Sequence, residues 1–233
     1  MQGVATLLTD QVITQTDLNR TQQRSTLARA QPVTATTPSD DSIPALLSAW
    51  PFNSDEAIQV DWLIVHFNHW FAHHHVQLVR GEHEPEYFPA TATEPARIVF
   101  AHGYLASALH EISHWCVAGQ VRRKQADLGY WYAPDGRNAE QQALFEQVEV
   151  KPQALEWLFT QACGRPFRVS LDNLNGEAGS GEQFKNNVYN RVRALLSATA
   201  PLPKDAQRFI NGLIIATRPL QPLQPDEFQR ENL

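Results

Sequence analysis

The first sustained helical pattern begins near Asp55. In "DEAIQVDWLIVHFNHWFA" apolar residues return every three or four positions behind an acidic first turn, which predicts an amphipathic helix. Two short apolar runs follow, "VQLVR" and "ARIVFAHG", with a charged turn and an extended "EYFPA" between them; they read as strands of a small sheet. From Tyr104 to Ala118 the period is again that of a helix, and Gly119 is placed to stop it. Further helices are predicted in "AEQQALFEQVEVKPQALEWLFTQAC", "FKNNVYNRVRALLSA" and "DAQRFINGLIIAT", with the glycine-rich "LDNLNGEAGSGEQ" as an excursion between the first two. The pattern predicts an α+β fold, a mostly helical single domain around a small β-sheet, over residues 51–233. Residues 1–50 are rich in Thr, Gln, Ser and Ala and include "QPVTATTPSDDSIP", so they are expected to form a disordered or weakly structured arm.

The helix from Tyr104 carries the candidate chemistry. At about 100° per residue, Leu105, Leu109, Ile112 and Cys116 fall within an arc of about 60° and make a core-facing stripe. His110 and His114 leave the helix together on another side, roughly 140° from the middle of that stripe. This H-E-x-x-H spacing can converge two ring nitrogens on one ion, as in a zincin-like metal helix, and Glu111 is then the candidate general base for a metal-bound water. Cys116 points into the core stripe and reads as a small buried hydrophobe rather than a ligand. Ala106, Ser107 and Ser113 are expected to leave room for a cavity over the histidine face.

A third ligand is sought in the next helix. Treated as continuous, Phe145 to Phe159 buries Phe145, Val148, Pro152, Leu155 and Phe159; Glu149 borders that stripe and is the better carboxylate ligand. Glu156 is the alternative, and Glu146 is expected to accept a histidine N–H from outside the metal's own ligands. Should Pro152 start a new helix, Glu149 would sit in the preceding turn and its direction could not be read from the wheel.

Other features narrow the classes. A formal net charge of -6 gives no global basic field, so nucleic acid is not an expected partner; the run Val121-Arg122-Arg123-Lys124 reads as a solvated helix end. Two cysteines are too few for a disulfide framework, and neither a membrane span of ~20 apolar residues nor a signal peptide is visible, which leads us to expect a soluble cytoplasmic protein. His66, His69 and His73 recur at helical spacing and His73 to His75 form a run, but no acidic residue completes a ligand set there. His102 is expected to make a structural hydrogen bond at the strand end. Phosphate-binding, dinucleotide-binding and serine-nucleophile motifs are absent from the sequence. "YWYAPDGR" ends in a turn signature and reads as a packed surface turn or as a wall of a substrate entrance.

Two histidines and one carboxylate serve two chemistries. With zinc the set hydrolyses an amide with Glu111 as base; with iron(II) it is a facial triad for oxidising a C–H bond, and Glu111 has no obligatory role. Spacing alone favours the peptidase. The runs "RIVFAHGYLASALHEISHWCVAGQ", "LGYWYAPDGR" and "FEQVEVKPQALEW", however, resemble the bacterial elongation factor P hydroxylase family over most of the folded domain. That resemblance implies hydroxylation of the β-lysylated lysine of elongation factor P. It also implies a mononuclear 2-His-1-carboxylate metal site at His110, His114 and Glu149, with Fe(II) as the expected metal and zinc as the alternative. 2-Oxoglutarate is not implied, because both histidines sit on one helix. Elongation factor P is the expected partner, with Arg122, Arg123 and Lys124 as a candidate docking surface.

Overall fold

The computed structural model describes residues 45–129, 139–170, 180–219 and 221–233. The aromatic loop at 130–137 and the glycine-rich residues 171–179 lie outside them. The chain runs α1 (Glu56–Trp70), β1 (Val76–Arg80), β2 (Glu86–Phe88), β3 (Ala96–Phe100), α2 (Leu105–Arg122), α3 (Ala139–Ala162), α4 (Ser180–Leu196) and α5 (Lys204–Thr217). It is a mostly helical α+β domain with one small sheet. No helix among the described residues is long and apolar enough to cross a membrane.

β3 lies in the middle of the sheet, parallel to β1 and antiparallel to β2. Leu78, Ile98 and Tyr87 are in register across it, and all three are buried on the face covered by helices. On the other edge of β1, Asn68 of α1 imitates a strand: its Oδ1 accepts from the Leu78 N–H at 2.6 Å and its Nδ2 donates to the Leu78 carbonyl at 3.4 Å. A side-chain amide thus meets backbone groups that an edge strand would otherwise leave open.

β3 passes into α2 through His102 and Gly103, both left-handed at φ 51 and 74. The turn is secured on both sides: Ser107 Oγ accepts the Ala101 N–H at 2.9 Å, and the Glu56 carboxylate accepts the Leu105 N–H at 2.7 Å. A carboxylate from α1 therefore satisfies an N–H that the first turn of α2 leaves unpaired, where the helix dipole also favours negative charge. His102 itself is exposed and stands 6.0 Å from the Tyr104 ring. The expected strand-end hydrogen bond is not what it provides; its backbone conformation is.

α2 runs regularly to Gly119, whose φ of 65 and ψ of 177 break it before a last turn ends at Arg122. α3 is a single helix with Pro152 inside it, and it is buried on every side from Pro152 to Thr160. That makes it the central helix, packed on α2, α4 and α5. An aromatic cluster ties the helices together: Phe67 and Phe71 at the end of α1, Trp115 of α2, Phe159 of α3 and Phe209 of α5, with ring centroids 4.8 to 6.3 Å apart. Cys116 and Cys163 are free and buried, and burial pushes both thiols up, Cys163 to about 12.

Packing extends N-terminally beyond the expected boundary. Residues 45–50 fall in the arm expected from composition, yet Trp50 is buried against Trp62, and Trp70 Nε1 donates to the Ala45 carbonyl at 2.8 Å. His66 organises this segment. Its Nδ1 donates to the Trp62 carbonyl at 2.8 Å, so Nε2 is the acceptor for the Leu47 and Ser48 N–H groups at 3.1 and 3.2 Å. His69 and His73 are exposed, so the three histidines do not share a face.

Burial lowers the His66 pKa from 6.5, and the neighbouring His69 adds to the effect. A proton on Nε2 would remove the acceptor that holds Leu47 and Ser48. The unfolded chain therefore binds this proton more readily than the folded chain. The stability contributed is complete above the ordinary imidazole value of 6.5 and is lost as pH falls towards the lower folded value. Tryptophan fluorescence should report an acid step as Trp50, Trp62 and Trp70 become exposed, and His66→Gln should lack it.

Candidate active site

The α2 stripe read from the sequence is inside: Leu105, Leu109, Ile112 and Cys116 are all buried. His110 and His114 project from the adjoining side towards α3. The two helices are antiparallel, so His110 meets Glu156 while His114, one turn on, meets Glu149, two turns back. The two imidazole Nε2 atoms face each other at 3.0 Å. Glu149 Oε1 lies 3.2 Å from His114 Nε2, and its Oε2 lies 3.7 Å from His110 Nε2. One ligand atom from each of these three residues falls within 4.8 Å of the others, a set that could hold a metal ion.

The supporting contacts differ from expectation. Glu156, weighed as an alternative ligand, accepts from His110 Nδ1 at 2.8 Å. Glu146, expected in that role, instead accepts from Gln142 Nε2 at 3.2 Å. The reason is geometric: Glu156 is seven residues, close to two full turns, from Glu149 and so shares its face of α3, whereas Glu146 is set about 60° aside. Gln153, missed in the sequence, is buried one turn from Glu149. Its Nε2 reaches Glu149 Oε2 at 3.4 Å and the Ser170 carbonyl at 2.7 Å, and its Oε1 accepts the Ser170 N–H at 3.0 Å. Glu149 is thereby tied to the segment leading into residues 171–179.

Electrostatics follow from placing three carboxylates, Glu111, Glu149 and Glu156, beside two histidines. Burial opposes charge on His110, but Glu156, with Glu111 and Glu149, outweighs it and holds the imidazole up to about 10. Burial likewise opposes ionisation of Glu149, yet His114, His110 and the Gln153 bond bring it down to about 2. Glu111 is pushed up, chiefly by burial and further by Glu149 and Glu156, against the attraction of both histidines. Glu149 is thus an ionised acceptor already in place beside two imidazoles.

Other expectations are corrected. Ser107 and Ser113 both bond to backbone beside the histidines: Ser107 Oγ accepts the Ala101 N–H, and Ser113 Oγ donates back to the Leu109 carbonyl at 2.7 Å. Arg122 and Arg123 are not a solvated docking pair. Arg122 donates to the Leu128 and Gly129 carbonyls, while Arg123 lies 3.4 Å over the Trp115 ring and pairs with Asp205 at 2.7 Å. Lys124 alone of the three is exposed.

The sequence profile of the elongation factor P hydroxylase family matches residues 66–228. The chain is also 48% identical over 154 residues to the elongation factor P lysine hydroxylase of Haemophilus influenzae, an alignment covering 65% of this chain and 85% of that protein. The family match spans all three converging residues and the helices that carry them, and together with the similarity to the Haemophilus protein it shows that the chain belongs to the elongation factor P hydroxylase family.

Proposed function

We propose that this chain is an oxidoreductase of the bacterial cytoplasm that hydroxylates the β-lysylated lysine of elongation factor P at a mononuclear site of His110, His114 and Glu149. The observation that carries the reading is the convergence of two imidazole Nε2 atoms and one ionised carboxylate on a single point, in a chain of this family. The donor set suits a resident metal: two imidazole nitrogens, His110 giving up its extra proton on metal binding, and one carboxylate oxygen would leave positions open, as a facial triad for iron(II) does. Iron(II) in such a set supplies the oxygen activation needed to oxidise a C–H bond. In this reading α2 is a zincin-like metal helix whose third ligand comes from the antiparallel α3.

The chain's own residues do the positioning. Glu156 accepts the hydrogen bond from His110 Nδ1–H, which leaves Nε2 directed at the shared point. Gln153 holds Glu149 Oε2 and fixes the carboxylate's rotation. Glu156→Gln keeps the size but removes the charge, and we expect metal affinity to fall about 10- to 100-fold, measured by calorimetric titration with iron(II) under anaerobic conditions.

Glu111 separates this reading from zinc peptidase chemistry. A peptidase needs that carboxylate as its base, so Glu111→Gln would cost it about 10²- to 10⁴-fold. Hydroxylation does not require the base, and the metal-loaded variant should retain activity within about tenfold. The check is conversion of β-lysylated elongation factor P by Glu111→Gln beside the unaltered chain at equal metal content; loss to background would overturn the assignment.

A further inference from the structure

A cavity of about 170 Å³ lies where the end of α2, α3, α4 and the segment before α5 meet, lined by Val117, Lys151, Leu155, Arg191, Leu195 and Pro203. Along α3, Lys151 and Leu155 lie roughly 120° to 160° around from Glu149, so the cavity opens on a different side of the helix from the histidines. Two of its six lining residues are cations, in a chain whose formal net charge is -6. Arg191 Nε is buried with no hydrogen-bond partner, and neither Arg191 nor Lys151 forms an ion pair among the described residues. Nor do their own helices supply a counter-charge: the residues three and four away are Asn187, Val188, Ala194 and Leu195 for Arg191, and Gln147, Val148, Ala154 and Leu155 for Lys151. Burial without a partner lowers the Arg191 pKa, as expected for a guanidinium lacking an acceptor.

A buried guanidinium N–H left unpaired is costly, and a planar guanidinium matches a carboxylate with two parallel hydrogen bonds. The remaining walls are aliphatic. An inorganic phosphate would turn acceptor oxygens towards those walls and leave them unmet, whereas a short hydrocarbon chain would pack on them. We propose that this cavity binds a short-chain carboxylate, its head on Arg191 and Lys151 and its methylenes against Val117, Leu155 and Leu195. The same chemistry is offered by a small organic acid and by a glutamate side chain of a protein.

The test uses the full chain and the Nε–Hε resonance of Arg191 in ¹⁵N-resolved NMR, titrated separately with butyrate, an N-acetylated glutamyl tripeptide amide and inorganic phosphate. Saturable movement of that resonance by a carboxylate probe, with Kd below about 10 mM, is the expected result. Arg191→Met should abolish binding of the probe, followed on the Leu155 and Leu195 methyl signals. Lys151→Gln, at an exposed position that does not threaten the fold, should weaken it about tenfold. Saturation by butyrate assigns the cavity to a free acid; saturation by the glutamyl peptide alone assigns it to an acidic side chain of a protein. Equal or tighter binding of phosphate, or no movement with any probe, would overturn the proposal.

Discussion

His110→Ala is expected to reduce hydroxylation of elongation factor P to background and to weaken metal binding by at least about 100-fold, in a chain that still folds. The imidazole is the hub of the site: Nδ1 is held by Glu156, and Nε2 faces both His114 and Glu149. Its side chain remains 23% exposed, and alanine suits a helix, so the packing of α2 on the core does not depend on it. The structural cost falls on Glu156, which loses its partner at a side-chain exposure of 10%. An unsatisfied buried acceptor costs about 1–3 kcal/mol, below the stability of a typical domain. Circular dichroism should stay native and the midpoint of thermal unfolding should drop by several degrees. Wild-type metal affinity in the folded variant would remove His110 from the ligand set.

Phe209→Ala should be the most damaging of the core substitutions, destabilising the domain by about 3–5 kcal/mol. Phe209 is fully buried on α5 and touches Phe67 and Phe71 at the end of α1 and Phe159 of α3. Phe67 and Phe71 in turn hold Trp115, the residue after His114 on α2. Truncating the ring leaves a cavity between α1, α3 and α5, none of which can close it without moving another. Urea unfolding should show a lower midpoint with an unchanged slope, and metal affinity should fall as α2 loses its support. A loss below about 1 kcal/mol would mean that the helices can repack around the gap.

The histidine pair was legible because its geometry is local: four residues on one helix put two side chains on one side whatever surrounds them. The core stripe of α2 was legible for the same reason. What could not be read was how α3 lies against α2. Once the helices are antiparallel, Glu149 and Glu156 become the facing carboxylates and Glu146 falls aside. The seven-residue spacing from Glu149 to Glu156 was a usable signal, since it repeats one helix face, but the doubt over Pro152 obscured it. Pro152 is accommodated within a continuous α3, where tertiary burial on every side outweighs the lost hydrogen bond.

The packing of residues 45–50 was not legible for a different reason. Much of their attachment runs through backbone groups, which accept from Trp62 and Trp70 and donate to His66. Backbone hydrogen bonds leave no mark on composition or periodicity. Gln153 shows the same limit: a glutamine in a helix reads as an ordinary polar position until its amide is seen bridging Glu149 and Ser170.

The central claim is that His110, His114 and Glu149 together hold the metal that hydroxylates elongation factor P. It is tested most directly by intact-mass analysis of β-lysylated elongation factor P after incubation with the purified chain, iron(II), a reductant and air. The account predicts a gain of one oxygen atom with the unaltered chain and none with His110→Ala or Glu149→Ala of equal folded content. An unchanged mass with the folded, iron-loaded chain, or a cleaved substrate, would contradict it.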